Sequence, residues 1–212
     1  MAQISAAILA GGRARRFGGA DKASLVVGGA RIIERQLAAL ASVADDIRIV
    51  SNDPDRYAAL GVRVIQDQVR DAGPLGGLHA ALVDAAHQGV IVLACDLPFV
   101  TPALLEALAS AFGAGDEIDA VVPRSARGLE PLCAVYSTRL AEVARRLIDA
   151  GKLDVRGLLQ DVRISELRPE RIAPFDDASV FLNVNTPHDY ERARAKLNWM
   201  RNRTKIVSRN KL

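Results

Sequence analysis

Cysteine is scarce in this sequence. Only Cys95 and Cys133 occur among its 212 residues, and neither belongs to a CxxC pair. Disulfide-stabilised secreted domains and the common structural zinc sites need more cysteines at closer spacing. The sequence therefore speaks against a disulfide scaffold or a cysteine zinc site, and it agrees with a reducing compartment such as the cytoplasm.

Long apolar runs are also missing. No stretch approaches the roughly 20 apolar residues that a membrane-spanning helix needs. The N-terminal residues do not form a basic segment followed by a long apolar core. We therefore expect no membrane partner, no secretory signal and a cytoplasmic location. The three histidines form no HxxxH or HExxH pair, so they do not predict a metal site.

Acidic residues are absent from the C-terminal end. The last twelve residues carry five basic side chains and no acidic one, whereas the whole chain has a formal charge of +3. Without that segment, 23 basic side chains stand against 25 acidic ones, which leaves a charge of −2. We expect residues 199–212 to be a frayed or disordered basic tail, and we expect no nucleic acid as a partner.

The sequence does contain apolar runs that alternate with segments of helical period. The second such helix has a clear start, because Thr101 is a suitable N-cap and Pro102 follows it at the first helical position. Continuous apolar strands that alternate with helices predict an α/β fold with a mostly parallel sheet covered on both faces. The predicted strands are Ile4–Ala10, Ile47–Ser51, Val62–Gln66, Val90–Cys95 and Ile118–Val122.

The pattern changes after about residue 125. "LEPLCAVY" predicts a short strand, "DVRISEL" predicts another, and two helices are expected at Leu140–Leu147 and Thr186–Leu197. No low-complexity linker or internal repeat separates the two halves. We therefore expect one domain over residues 1–198, with the second half added to the first.

A glycine-rich and arginine-rich loop, "LAGGRARRFGGADK", follows the first predicted strand. Glycine lets backbone N–H groups face an anion closely, and Arg16 and Lys22 could neutralise phosphate charge. The P-loop pattern GxxxxGK[ST] and the dinucleotide pattern GxGxxG are both absent. The loop therefore predicts a phosphate site of another type, with a flexible solvated turn as the alternative.

Acidic residues follow two other strands. Asp96 comes directly after an apolar strand, where a carboxylate can hold Mg²⁺, although a loop carboxylate bonded to a backbone N–H is the alternative. Asp67 follows the third strand, and "GPLGGL" then places glycines, Gly76 among them, just before a predicted helix. Asn52 follows the second strand and suits either a base or ribose contact or an Asx turn.

Together these segments resemble the molybdenum cofactor guanylyltransferases, the MobA-type nucleotidyltransferases. "LAGGRARRFGGADK" is similar to their LAGGxxxRMGGxDK motif, with Phe17 in place of the methionine. The likeness continues through Asp67, "GPLGGL", "CDLPF", "EPLCAVY" and "NVNTP", so it spans nearly the whole chain.

The resemblance implies a Rossmann-like three-layer α/β/α nucleotidyltransferase fold. It implies transfer of GMP from GTP to the terminal phosphate of molybdopterin that carries molybdenum, with Mg²⁺ as cofactor and pyrophosphate as second product. GTP and molybdopterin would be the substrates, and transient partners would be other cofactor-biosynthesis proteins or apo-molybdoenzymes. The first half would bind the nucleotide and the second half the acceptor.

The resemblance also implies roles for individual residues. Lys22, Asp96 and Arg16 would be catalytic, and Asp96 would hold the metal. Asn183 or Asn185 would complete the metal shell. The nucleotide would be bound by Leu9, Ala10, Gly11, Gly12, Lys22, Asn52, Asp67, Gly76 and Asp96.

Two other functions agree with the residues themselves. A cytidylyl or sugar-1-phosphate nucleotidyltransferase would share the glycine–arginine loop, since nothing in the residues alone selects guanine. A nucleotide-binding regulatory module without turnover would share the binding loop but would not depend on Asp96 for a reaction.

Overall fold

The structure is a computed structural model that describes residues 3–11, 22–69, 71–114, 117–172 and 179–209. Within those residues the strands are β1 Ser5–Leu9, β2 Val26–Val27, β3 Ala30–Arg31, β4 Asp46–Val50, β5 Arg63–Ile65, β6 Gly89–Ala94, β7 Ala120–Ser125, β8 Gly128–Leu129, β9 Cys133–Ser137 and β10 Ile164–Leu167. The α-helices are α1 Ile32–Leu40, α2 Gly73–Asp84, α3 Pro102–Gly113, α4 Ala141–Asp149, α5 Val155–Leu158, α6 Pro169–Ile172 and α7 Pro187–Arg209.

The central sheet has the strand order β10-β7-β9-β6-β1-β4-β5, and β8 pairs with β7. Strand β1 is parallel to both of its neighbours, β4 and β6, and β5 continues the parallel set beyond β4. Strand β9 is antiparallel to β6 and β7, while β10 is parallel to β7. The prediction of a mostly parallel sheet is therefore confirmed.

Helices cover both faces of this sheet, and β1 shows how the two faces are divided. Its alternating side chains point to opposite sides, as those of any strand do. Ala6 and Ile8 pack into a core cluster that contains residues of α1 and α3. Ala7 and Leu9 pack into a second cluster, with residues of α2 and α4. The result is the three-layer α/β/α arrangement.

The glycines of "GPLGGL" were predicted to precede a helix, and this prediction is wrong. They lie inside α2, which begins at Gly73 with Pro74 in its first turn. Proline suits a helix start because its fixed φ is helical and its missing N–H would have no partner there. Gly76 and Gly77 are buried on this helix, so their missing side chains serve close packing in its first turns.

The last helix is longer than we predicted. It begins after Thr186, whose hydroxyl accepts from the Asp189 N–H at 3.1 Å while the Asp189 carboxylate accepts from the Thr186 N–H at 2.9 Å. It continues to Arg209 because residues 198–209 contain neither glycine nor proline. The backbone of residues 199–209 is thus helical, and the boundary at residue 198 stays a prediction. Within the described parts of the chain, no helix combines the length and apolar character that crossing a membrane would require.

Candidate active site

A cavity of about 660 Å³ opens at the carboxyl edge of the parallel strands. Leu9, Val50 and Ala94, the last residues of β1, β4 and β6, all line it. Open α/β sheets bind their ligands at this edge, because the connections diverge there and leave a crevice. The sheet therefore brings the chain segments that follow three separate strands to one place.

The C-terminal end of β1 and the residues that follow it form one wall of the cavity. The Leu9 carbonyl accepts from the Cys95 N–H at 3.2 Å, and the Ala10 N–H donates to the Val50 carbonyl at 2.9 Å. These bonds fix the backbone up to Gly11, which lines the cavity with open space where a side chain would be. The predicted site residues Gly12 and Arg16 lie outside the described residues.

Lys22 and Asp96 line the same cavity, although they follow different strands. The Lys22 ammonium donates to the Asn185 side-chain oxygen at 2.6 Å. The neighbouring Val184 N–H donates to the Asp96 carbonyl at 2.9 Å. One short segment before α7 therefore contacts both the Lys22 ammonium and the backbone of Asp96.

The turn that carries Asp96 is held by a buried glutamine that our sequence analysis missed. The Gln36 amide donates to the Ala94 carbonyl at 2.7 Å and to the Leu97 carbonyl at 3.1 Å. Gln36 lies on the buried face of α1, between Ile33 and Leu40. A polar residue at such a position is the signal that could have found it, because buried polar side chains need hydrogen-bond partners.

The Asp96 carboxylate is short of partners in this setting. Its Oδ1 atom is buried and has no hydrogen bond among the described residues. Burial raises the pKa of Asp96, and the positive charges of Lys22 and Arg127 act in the opposite direction. A buried carboxylate oxygen with free acceptor capacity fits a hard divalent cation.

Other protein ligands for such a cation are few. The described residues contain no group of three or more histidine, cysteine, aspartate or glutamate side chains that would hold a metal. Mg²⁺ is commonly bound through one or two carboxylates together with substrate phosphates. The donor set at Asp96 therefore fits Mg²⁺ that arrives with a nucleotide. Asn183 or Asn185 was predicted to complete the metal shell. In the structure the side-chain oxygen of each accepts a hydrogen bond from a cationic side chain.

Asn52 and Asp67 form a second polar pair in the cavity. The Asn52 amide donates to the Asp67 Oδ2 atom at 3.4 Å, and its oxygen accepts from the Asp67 N–H at 3.2 Å. The local turn at this point is closed by Ser51, whose hydroxyl accepts from the Asp53 N–H. Asn52 therefore joins two loops instead of forming its own Asx turn.

Asp67 also has unused acceptor capacity. Its Oδ1 atom is buried without a hydrogen bond within the described chain, and burial raises its pKa while Asn52 lowers it. A side chain at Gly77 would lie 3.4 Å from the Leu9 Cδ2 methyl and 3.5 Å from this same oxygen. Gly77 lines the cavity, whereas a Cβ at Gly76 would meet the Ala72 Cβ at 2.7 Å. Of these two adjacent glycines, Gly77 is thus the one that lines the cavity.

A strained residue borders the cavity as well. Asp71 has a φ of 59° and is the one non-glycine residue with a positive φ in the described ranges. It lines the cavity beside Gly73, which has the same φ. Backbone strain of this kind concentrates at functional sites. Nothing in the sequence marks Asp71, because local composition does not reveal a backbone angle.

Comparisons with known proteins find similar proteins over most of the chain. The family model described as the MobA-like NTP transferase domain matches residues 6–167. A protein of Desulfosudis oleivorans named molybdenum cofactor guanylyltransferase is 36% identical over 93% of this chain and 97% of its own length. A protein of Pelotomaculum thermopropionicum named probable molybdenum cofactor guanylyltransferase is 37% identical over 92% of this chain and 93% of its own.

A solved structure is similar in fold and in sequence. The molybdopterin-guanine dinucleotide biosynthesis protein A of Archaeoglobus fulgidus matches with a TM-score of 0.78 and 30% identity, over 92% of this chain and 98% of its own. The family model covers most of the chain, and the curated relatives cover nearly all of it. This chain belongs to the MobA-like NTP transferase family.

Proposed function

We propose that this enzyme transfers GMP from GTP to the terminal phosphate of molybdopterin that carries molybdenum, releases pyrophosphate and forms the guanine dinucleotide cofactor. The names of its relatives support this reaction. The observation that carries it is the meeting of Lys22 and Asp96 in one cavity at the carboxyl edge of the sheet. A nucleotidyltransferase needs a cation and a carboxylate at such a place, to bind phosphates and a divalent metal.

The reaction joins two anions. An oxygen of the acceptor phosphate attacks the α-phosphorus of GTP and forms a new P–O bond. The bond from the α-phosphorus to the oxygen bridging it to the β-phosphorus breaks, and pyrophosphate leaves with that oxygen and its electron pair. No protein nucleophile is needed, so the protein acts by positioning and by neutralising charge.

We assign the individual roles on that basis. The backbone from Leu9 to Gly11 contacts the nucleotide, and Lys22 binds its phosphates where negative charge develops on the leaving group. Asn52 and Asp67 present acceptors and donors to the guanosine. These residues all line the cavity.

Asp96 is the residue to which we assign Mg²⁺. When bound, the ion would neutralise phosphate charge and act as a template for the two substrates. The free Oδ1 atom of Asp96 is the basis of this assignment. We further propose that the first half of the chain binds GTP, that the second half binds molybdopterin, and that the reaction takes place in the cytoplasm.

One experiment tests the reaction and the choice of nucleotide. The purified protein receives Mg²⁺, molybdopterin and each of the four nucleoside triphosphates separately, and pyrophosphate release is measured. We expect release with GTP only. Release with CTP instead of GTP would show a cytidylyltransferase and contradict the proposal.

The same assay separates an enzyme from a regulatory module. Asp96→Asn should abolish pyrophosphate release while circular dichroism shows an unchanged fold. The matched control is Asp45→Asn, because Asp45 is exposed and lies just before β4, at the opposite edge of the sheet. That control should release pyrophosphate like the wild type. Equal release by Asp96→Asn would remove Asp96 from the mechanism.

A further inference from the structure

The segment before α7 holds two cations beside Asp96, and the nucleotide site uses only one of them. Val184 is fully buried, and its N–H donates to the Asp96 carbonyl. The asparagines on either side of Val184 each accept from a cation. Asn185 accepts from Lys22 at 2.6 Å, and Asn183 accepts from Arg127 at 3.3 Å. Arg127 therefore bonds to this segment through an asparagine, as Lys22 does.

Arg127 comes from the second half of the chain, in the turn between β7 and β8. Its Nη2 atom donates to the Phe181 carbonyl, to the Asn183 side chain, and to the Glu130 carboxylate at 3.4 Å. Glu130 is held in turn by the Ser125 hydroxyl at 2.6 Å. The guanidinium is thus anchored through one nitrogen.

The rest of the Arg127 guanidinium is open to a ligand. The side chain is 60% exposed, and the bonds named above all use the same nitrogen atom. Arginine presents a planar fork of donors that suits two phosphate oxygens at once. Arg127 is therefore a preorganised anion-binding group next to the reaction centre.

We propose that Arg127 binds and positions the terminal phosphate of the acceptor, an inference that rests on the proposed function. Among the described residues, the nucleotide cavity is lined by Lys22 and not by Arg127. The acceptor is the second anion of the reaction, and bringing it close to the triphosphate requires a cation of its own. Arg127 belongs to the half of the chain to which we assign the acceptor, and it contacts the segment that also bonds to Asp96. Its role is to hold the attacking oxygen near the α-phosphorus.

A structural role is the alternative, because Arg127 also ties the β7–β8 turn to the segment before α7. A structural clamp would affect GTP binding and thermal stability, since that segment carries the partner of Lys22. A group that binds the acceptor would affect the KM for molybdopterin and leave GTP affinity unchanged. The two roles therefore predict different measurements.

The test compares Arg127→Met and Arg127→Lys with the wild type. Arg127→Met should raise the KM for molybdopterin by about 10- to 150-fold, the scale of one charge-assisted hydrogen bond. Isothermal titration with GTP and Mg²⁺ should give an unchanged Kd. Arg127→Lys keeps the positive charge but lacks the planar pair of donors. Its KM for molybdopterin should therefore lie between those of the wild type and Arg127→Met.

Arg124→Met is the matched control. Arg124 lies on the same hairpin and is 44% exposed, but it bonds to Glu166 at 2.6 Å, in β10. Its KM for molybdopterin should equal that of the wild type. An Arg127→Met variant with an unchanged acceptor KM, or with GTP affinity and melting temperature reduced together, would overturn the inference. Failure of the wild type to use molybdopterin at all would instead overturn the proposed function, and this inference with it.

Discussion

Lys22 offers the sharpest test of the nucleotide site, through the substitution Lys22→Met. Methionine keeps a flexible stem of similar length and removes the charge. The change deletes the 2.6 Å bond to Asn185 and leaves that amide oxygen without its donor. It also removes the main charge that opposes burial at Asp96, so the pKa of Asp96 should rise further. Both effects should lower the affinity of the site for a triphosphate and its metal.

The size of the effect follows from the kind of contact. A hydrogen bond to a charged group contributes about 1.5–3 kcal/mol. Losing one such contact with the phosphates corresponds to an increase in Kd of about 10- to 150-fold. Isothermal titration with GTP and Mg²⁺ measures it directly. A titration at higher salt should narrow the difference, because part of the contribution is a screened charge interaction.

The control removes the same charge at the far side of the molecule. Arg63 begins β5, at the edge of the sheet opposite the cavity, and its side chain is 63% exposed. Arg63→Met should bind GTP like the wild type. Equal affinity in Lys22→Met and the wild type would refute a phosphate contact by Lys22. Equal losses in both variants would show a general effect of net charge.

Two further predictions concern stability. Asp71 has a left-handed backbone conformation, with a φ of 59°. Asp71→Gly should therefore raise the free energy of unfolding, measured by urea denaturation, by about 0.5–1 kcal/mol. A lower free energy of unfolding would show that interactions of the aspartate side chain outweigh the backbone strain. Burial raises the pKa of Asp67 in the folded protein. The folded state is therefore more stable when Asp67 is protonated, and this stability is lost as pH rises through the raised pKa. Asp67→Asn should therefore be more stable than the wild type at pH 7 and lose that advantage towards about pH 4, and a difference independent of pH would contradict a raised pKa.

Much of the fold was predictable because its signals are local. Apolar runs of Ile and Val alternate with helical segments, and the structure shows strands within two residues of the first four predicted positions. Asp96 and Asp67 could be placed at one edge of the sheet because parallel strands carry their carboxyl ends to the same side. The likeness to a known family then followed from motif order.

Other features of the structure depended on backbone angles and tertiary contacts that amino-acid composition does not reveal. Helix α2 takes in the glycines of "GPLGGL" because Pro74 suits its first turn. The packing of Gly77 against Leu9 favours a residue without a side chain at that position. Asp71 and Gln36 gave no motif. Asp71 stands out only by its strained backbone angle. Gln36 stands out only by its hydrogen bonds to two carbonyls of a distant turn.

The sequence by itself determined the α/β class, the parallel sheet and the edge at which the segments that follow the parallel strands meet. Only the tertiary structure decided which side chains meet there. Lys22 and Asn185 are 163 residues apart, and Arg127 and Asn183 are 56 apart. Such contacts depend on strand order and on how α7 and the β7–β8 turn pack against the sheet, and no local preference specifies either. The physical reason is that side-chain periodicity is a property of each segment, whereas a binding site is a property of how the segments pack.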